Sequence, residues 1–150
     1  MVDEFRSLLQ EFVRQFGLLS PDRTPCGRSL ALSDAHALML LRRAGAEGLA
    51  QTLLADQLGI DKSTASRLVA RMTETGHMSA AASDDGRARP VRLTKKGLRL
   101  ADEIDQASRR RFAAVLERVP AERRARVVES LRDVVGALTS LKEQEGDDHR

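Results

Sequence analysis

Apolar positions recur along this chain in two rhythms, and the change between them marks its elements. Over the first twenty residues Phe5, Leu8, Leu9, Phe12, Phe16 and Leu19 come every three or four positions, which predicts an amphipathic helix ending between Gly17 and Pro21. A loop rich in Pro, Gly and polar residues follows from Ser20 to Arg28. Ser33 or Asp34 is placed to cap a second helix that carries Ala35, Leu38, Met39, Leu40 and Leu41 and closes at Gly45. Leu54 to Leu58 reads as a short apolar helix, Gly59 as a turn, and Asp61 as the N-cap of another helix. His77 to Ala82 and Pro90 to Thr94 read as two short strands around the polar turn Ser83 to Arg89, a β-hairpin. Thr94 caps a long helix from Lys95 to about Arg118, and Pro120 takes the N1 position of a last helix. On that last helix Val127, Leu131, Val134, Leu138 and Leu141 are spaced four, three, four, three, a heptad seam that Val128 and Val135 widen.

These elements predict a mainly α fold with a small β-hairpin wing: a winged helix-turn-helix flanked by N- and C-terminal dimerisation helices. Both terminal helices carry an apolar stripe that needs cover, and a symmetric homodimer built from them would satisfy both.

The helix after Asp61 has a face with a special composition. At about 100° per residue, Leu68, Val69 and Met72 fall on the side of Ala65, and Ser63, Arg67, Ala70 and Glu74 fall opposite, flanked by Thr64, Ser66 and Arg71. Small residues near the helix start let its backbone approach a DNA groove closely. Hydroxyls there can bond phosphates or base edges, and Arg67 can reach a guanine. On this reading Ser63, Ser66 and Arg67 face bases, while Lys62, Thr64, Gln51 and Thr52 set register on the backbone. Arg71 would bind phosphate or pair with Glu74. At the wing tip Arg87, with Arg89 beside it, suits a minor groove, and Asp85 braces Arg87. The alternative for the helix is an ordinary amphipathic surface helix, and for the wing a solvated loop.

Charge and aromatic content sharpen this. Between Asp61 and Arg99 nine basic residues stand against four acidic ones, a local net charge of +5 where the whole chain has +3. A basic segment on a near-neutral body is what polyanion binding needs. There is no Trp or Tyr, and Phe5, Phe12, Phe16 and Phe112 all lie outside the basic segment. Binders of single strands and RNA loops stack bases on aromatic rings, so duplex DNA is the expected partner.

The chain resembles the MarR family of bacterial winged-helix regulators. The resemblance rests on Leu54-Ala55-x-x-Leu58-Gly59-Ile60, Ser63-Thr64-x-Ser66-Arg67-Leu68-Val69, Gly76, Asp85-Gly86-Arg87 and Leu93-Thr94-x-x-Gly97, and covers roughly residues 30 to 140. It implies one domain over 1–150, with a DNA-binding lobe at about 30–98, helical dimerisation regions at about 1–20 and 99–145, and a frayed tail at 146–150. It also implies a homodimer on a near-palindromic operator, usually as a repressor, often released by a small ligand or by thiol oxidation. Ala50 departs from the Ser or Thr that often caps the first helix of the motif, and Ser79 and Ala80 replace a basic residue common on the first wing strand.

Two release signals follow as expectations. Phe12, Phe16, His36 and Leu40 are candidates for lining a cleft for a small-molecule effector. The single Cys26 is a candidate redox group, with Arg23 and Arg28 near enough in sequence to lower its pKa, against an inert loop thiol. Cys26 and His36 resemble two ligands of zinc-responsive members, but the helix after the wing reads Ala101 to Gln106 without His, and no metal or other cofactor is expected. His36 is expected to be a partly buried helix residue instead. An enzyme is disfavoured because His36, His77 and His149 are scattered and no phosphate-cradling Gly loop is present. A protein-binding adaptor and a non-specific DNA binder are the remaining alternatives. With no signal peptide and no apolar stretch long enough to span a bilayer, a cytoplasmic location without membrane contact is expected.

Overall fold

The computed structural model describes residues 1–80 and 90–147, with side chains up to residue 145. Six helices and a two-stranded antiparallel hairpin are seen among them. In order these are α1 (Val2–Phe16), α2 (Leu32–Ala44), α3 (Gln51–Leu58), α4 (Lys62–Glu74), β1 (Met78–Ser79), β2 (Arg92–Leu93), α5 (Lys95–Glu117) and α6 (Arg124–Asp147). Short 3-10 turns sit at Gly45–Glu47 and Ala121–Arg123. The chain packs as two compact units, Met1–Arg111 and Phe112–Arg150, with the division inside α5.

The core lies in the first unit. Leu38 and Leu41 of α2, Leu54 of α3, Leu68, Val69 and Met72 of α4, and Met78, Val91, Ala101 and Ile104 form one buried cluster. Fully burying side chains of this kind contributes about 1.5–3 kcal/mol each. The sequence places those residues on one face of each helix, so the cluster follows from periodicity once the helices meet. α4 packs mainly on α3, and α2 lies against α3 and β2.

Helix ends follow the predicted punctuation in part. Gly17 ends α1 in the left-handed conformation (φ 82°), its N–H returning to the Arg14 carbonyl, and Gly59 turns the chain between α3 and α4 in the same way (φ 66°). Thr94 caps α5 as expected, accepting from Gly97 N–H at 3.0 Å. Two expectations are corrected. Neither Ser33 nor Asp34 caps α2, which starts at Leu32 with Ala31 as a cap that has no side-chain bond. Pro120 precedes a 3-10 turn and does not occupy N1 of α6, because the last helix first tightens over Ala121–Arg123.

The hairpin pairs Met78 with Leu93 and Ser79 with Arg92. Leu49 adds a bridge to Val91, closed by hydrogen bonds of 3.0 and 2.8 Å, so the segment before α3 joins the wing base. The alternating pattern did not reveal this third segment. The turn expected at Ser83 to Arg89, with Asp85, Arg87 and Arg89, lies outside the described residues, as do residues 148–150.

In the second unit, α6 leaves Val127, Val128, Leu131, Val135, Leu138 and Leu141 exposed, and Leu131 and Leu138 show 55% and 52% of their surface. Arg124 fixes the turn into α6 by donating to the carbonyls of Val119 at 3.0 Å and Glu117 at 3.1 Å.

The start of α5 is seated so tightly that a Cβ on Gly97 would fall 1.9 Å from the His77 carbonyl oxygen, whereas one on Gly136 in α6 meets nothing within 4 Å. Gly97→Ala is expected to lower stability by about 1–3 kcal/mol. Gly136→Ala is expected to raise it by up to about 1 kcal/mol. Chemical denaturation of the two variants checks both signs.

Candidate nucleic-acid interface

α4 has one apolar stripe, and the core takes all of it. Ala65, Leu68, Val69 and Met72 are buried, while Lys62, Ser63, Ser66, Arg67 and Arg71 are exposed. The arc predicted to face DNA is therefore turned away from the core. On α3, Thr52 is exposed and Gln51 half-buried at the helix start.

Asp61 organises the N-terminus of α4. Its carboxylate accepts from Thr64 N–H at 2.8 Å, from the Thr64 hydroxyl at 2.7 Å, and from the Ser63 hydroxyl. Arg67 Nη2 in turn donates to Thr64 Oγ1 at 3.1 Å. The Ser63 bond first, and then those of Thr64, hold the Asp61 carboxyl far below the usual aspartate range, so it is an anion at any working pH. Thr64, expected at a phosphate, spends its hydroxyl proton on Asp61.

Arg71 is not paired with Glu74. Its guanidinium reaches Asp34, which is only 4% exposed in the first turn of α2, and this ion pair ties α4 to the core. The sequence offered Asp34 only as a cap, since the Arg71 contact spans thirty-seven residues. Lys96, counted within the basic segment, donates to the Thr75 carbonyl at 2.7 Å and so closes the C-terminal end of α4. Thr94 Oγ1 donates to the Gly76 carbonyl at 2.7 Å, and the Thr75 hydroxyl meets His77 Nδ1 at 2.8 Å. Burial, and then the nearby Lys96 charge, push the His77 pKa below its usual value.

The residues expected at release sites are placed as follows. Phe12 and Phe16 stack with centroids 5.2 Å apart, and the Arg111 guanidinium lies 6.0 Å from the Phe16 centroid. Leu40 is half-buried against the core. His36 lies on the side of α2 away from the buried stripe, exposed at its surface, yet local burial and then Arg43 lower its pKa. Cys26 is half-buried with its sulfur 3.0 Å from Thr24 Oγ1. The two arginines expected to act on it are engaged elsewhere: Arg28 pairs with Glu103 at 3.0 Å, and Arg23 donates to the Gly27 carbonyl at 3.4 Å. Among the described residues no three His, Cys, Asp or Glu side chains gather to hold a metal, and no helix is long and apolar enough to cross a membrane.

Helix-turn-helix, hairpin and long following helix define a winged-helix protein. A model of the MarR family matches residues 30–88, a stretch that takes in α2, α3, α4 and β1. Solved structures share the fold over most of the chain. A MarR family protein from Bacillus stearothermophilus is 24% identical, with 92% of this chain and 95% of that one covered and a TM-score of 0.72. The PcaV transcriptional regulator from Streptomyces coelicolor, solved with its natural ligand, is 23% identical over 89% of each chain with a TM-score of 0.61. The Staphylococcus aureus MepR–DNA complex gives 16% identity, 89% and 91% coverage and a TM-score of 0.64. No curated protein matches the chain. Residues 30–88 are thus similar to the MarR family, and the solved structures share the winged-helix fold over most of the chain.

Arg71→Ala would strand the buried Asp34 carboxylate. It is expected to destabilise the fold by about 1–3 kcal/mol, with Arg71→Lys losing less, as read by urea unfolding. Both His36 and His77 have folded-state pKa values below the ordinary 6.5, so folding favours their neutral forms. The stability they contribute is complete above pH 6.5 and is lost as the pH falls through the lower folded values. Denaturation midpoints should therefore drop from pH 7.5 to pH 5 (roughly the titration range of shifted His), and less so in a variant with both replaced by Gln.

Proposed function

We propose that this chain is a MarR-family regulator, a homodimeric repressor that binds a near-palindromic operator in duplex DNA and is released by a small ligand or by oxidation. The observation that carries the reading is the outer arc of α4: Lys62, Ser63, Ser66 and Arg67 exposed over a fully buried apolar stripe. A helix presented in this way can enter a major groove. Arg67 and the two serines read base edges, and Lys62, Gln51 and Thr52 hold the backbone. Arg87 and Arg89 reach the minor groove, with Asp85 bracing the wing. Arg71 keeps α4 in place through Asp34 and contributes positive potential to the same surface. The MepR relative has been solved on DNA, which supports this use of the fold.

The homodimer is supported by the uncovered apolar faces. α1 exposes Phe5, Leu8, Leu9 and Phe12, and α6 exposes its heptad seam. A second copy would cover both and hold two recognition helices about one turn of DNA (~34 Å) apart. PcaV has been solved with its natural ligand, which supports release by a small molecule. The stacked Phe12 and Phe16, with His36 and Leu40, are the side chains proposed to meet it, and Cys26 is the group proposed to sense oxidation.

Selection of bound sequences from random duplex DNA tests the function. The expected winner is a palindrome bound by one dimer, whereas absence of enrichment at low salt would transfer the reading to a protein-binding adaptor or a non-specific binder. Arg67→Ala is expected to cost about 1–3 kcal/mol on the selected site and to relax sequence preference. Lys62→Ala is expected to weaken all sequences alike and to reduce the salt slope by about 1 per site. Leu131→Asp is expected to give a monomer by sedimentation and to abolish palindrome binding.

A further inference from the structure

Hydrogen bonding around Asp61 fixes more than the helix start. An ionised carboxylate can only accept, and a hydroxyl has one proton and two lone pairs. Ser63 and Thr64 both give their only hydroxyl proton to Asp61. Thr64 also uses a lone pair to receive Arg67. What the exposed Ser63 oxygen then presents outward is lone pairs alone. Phosphate oxygens are acceptors too, so a Ser63 held in this way gains nothing from the DNA backbone. Its complement is a donor.

In the major groove the base-edge donors are the exocyclic amino groups of adenine and cytosine, while guanine and thymine present keto acceptors. We propose that Asp61 makes Ser63 an acceptor-only reader that distinguishes amino bases (adenine, cytosine) from keto bases (guanine, thymine) at one position of each operator half-site. Arg67 complements it. With one N–H committed to Thr64, its fork is held in a narrow range of orientations and its remaining donors suit the guanine O6 and N7 acceptors. A carboxylate this near the DNA backbone also repels phosphate, so Asp61 exchanges general affinity for selectivity. Ser63 and Asp61 are thus specificity residues, one by touching the base and the other by orienting the first. The inference rests on the DNA-binding reading above.

The test uses the full-length protein and duplexes selected by the wild type, with single-pair replacements through one half-site. At the position read by Ser63, the wild type is expected to prefer adenine or cytosine about fivefold over guanine or thymine, the yield of one net hydrogen bond. The same loss is expected when that base is replaced by the analogue lacking only its exocyclic amino group. Ser63→Ala should abolish the preference and leave other positions unchanged. Asp61→Gly keeps a tolerated N-cap but removes both carboxylate oxygens and so frees the Ser63 hydroxyl proton. It should reduce the amino-over-keto preference while strengthening binding to non-specific duplex. Circular dichroism confirms that both variants keep the helix. Uniform weakening of all sequences by Ser63→Ala would overturn the proposal in favour of a phosphate contact, and no effect would overturn it outright. An unchanged preference in Asp61→Gly would remove Asp61 from it. If the wild type selects no sequence at all, the DNA-binding reading itself fails, a result distinct from each of these.

Discussion

The burial of one narrow stripe on α4 governs the rest of the molecule. Ala65, Leu68, Val69 and Met72 form the buried apolar stripe of that helix, and α3 and the wing base receive it. With a period of 3.6 residues, fixing that stripe fixes the azimuth of every other side chain on the helix. Lys62, Ser63, Ser66 and Arg67 are exposed because Leu68 and Met72 are not. Both ends are then held independently of the stripe. Asp61 caps the start, Lys96 and Thr94 bind the carbonyls at the far end, and Gly97 lets α5 approach the His77 backbone. A helix pinned on one side and at both ends is a rigid element of the kind that can be fitted to a groove without a large ordering cost.

The charges divide by the same logic. Some positive side chains bind the protein itself: Arg71 with buried Asp34, Arg42 with Asp102 at 2.6 Å, Arg28 with Glu103, and Lys96 with a helix end. Others, such as Lys62 and Arg67, stand outward on the α4 arc. The basic count of the segment therefore overstates the charge available to DNA. Arg71 illustrates the difference: equally suited by type to a phosphate, it is already tied to α2 by a carboxylate whose burial makes separation costly.

Outside the first unit's core large apolar side chains are left uncovered among the described residues. α1 and α6 each show a row of large apolar side chains, several about half exposed. Exposed apolar rows of this size mark candidate partner surfaces. The proposed homodimer is the simplest arrangement that covers both, and it also supplies the two-fold axis that a palindromic site requires.

Much of this was legible in the residues. Periodicity located the helices and their buried faces, because the core selects only for apolar character at regular intervals. Asp61, Thr94, Gly17, Gly45 and Gly59 announced helix ends through local backbone chemistry that needs no distant partner. The outer arc of α4 was readable for the same reason, being the complement of the buried one. Tertiary structure decided what depends on pairs far apart in the chain. It assigned Asp34 to Arg71 and not to a cap, joined Leu49 to Val91 at the wing base, took Lys96 from the DNA-facing charge, and turned His36 outward. Local patterns report which residue types can sit on a face, but a carboxylate's choice between a cap and a distant guanidinium depends on where two helices cross. That crossing is set only when the whole core closes.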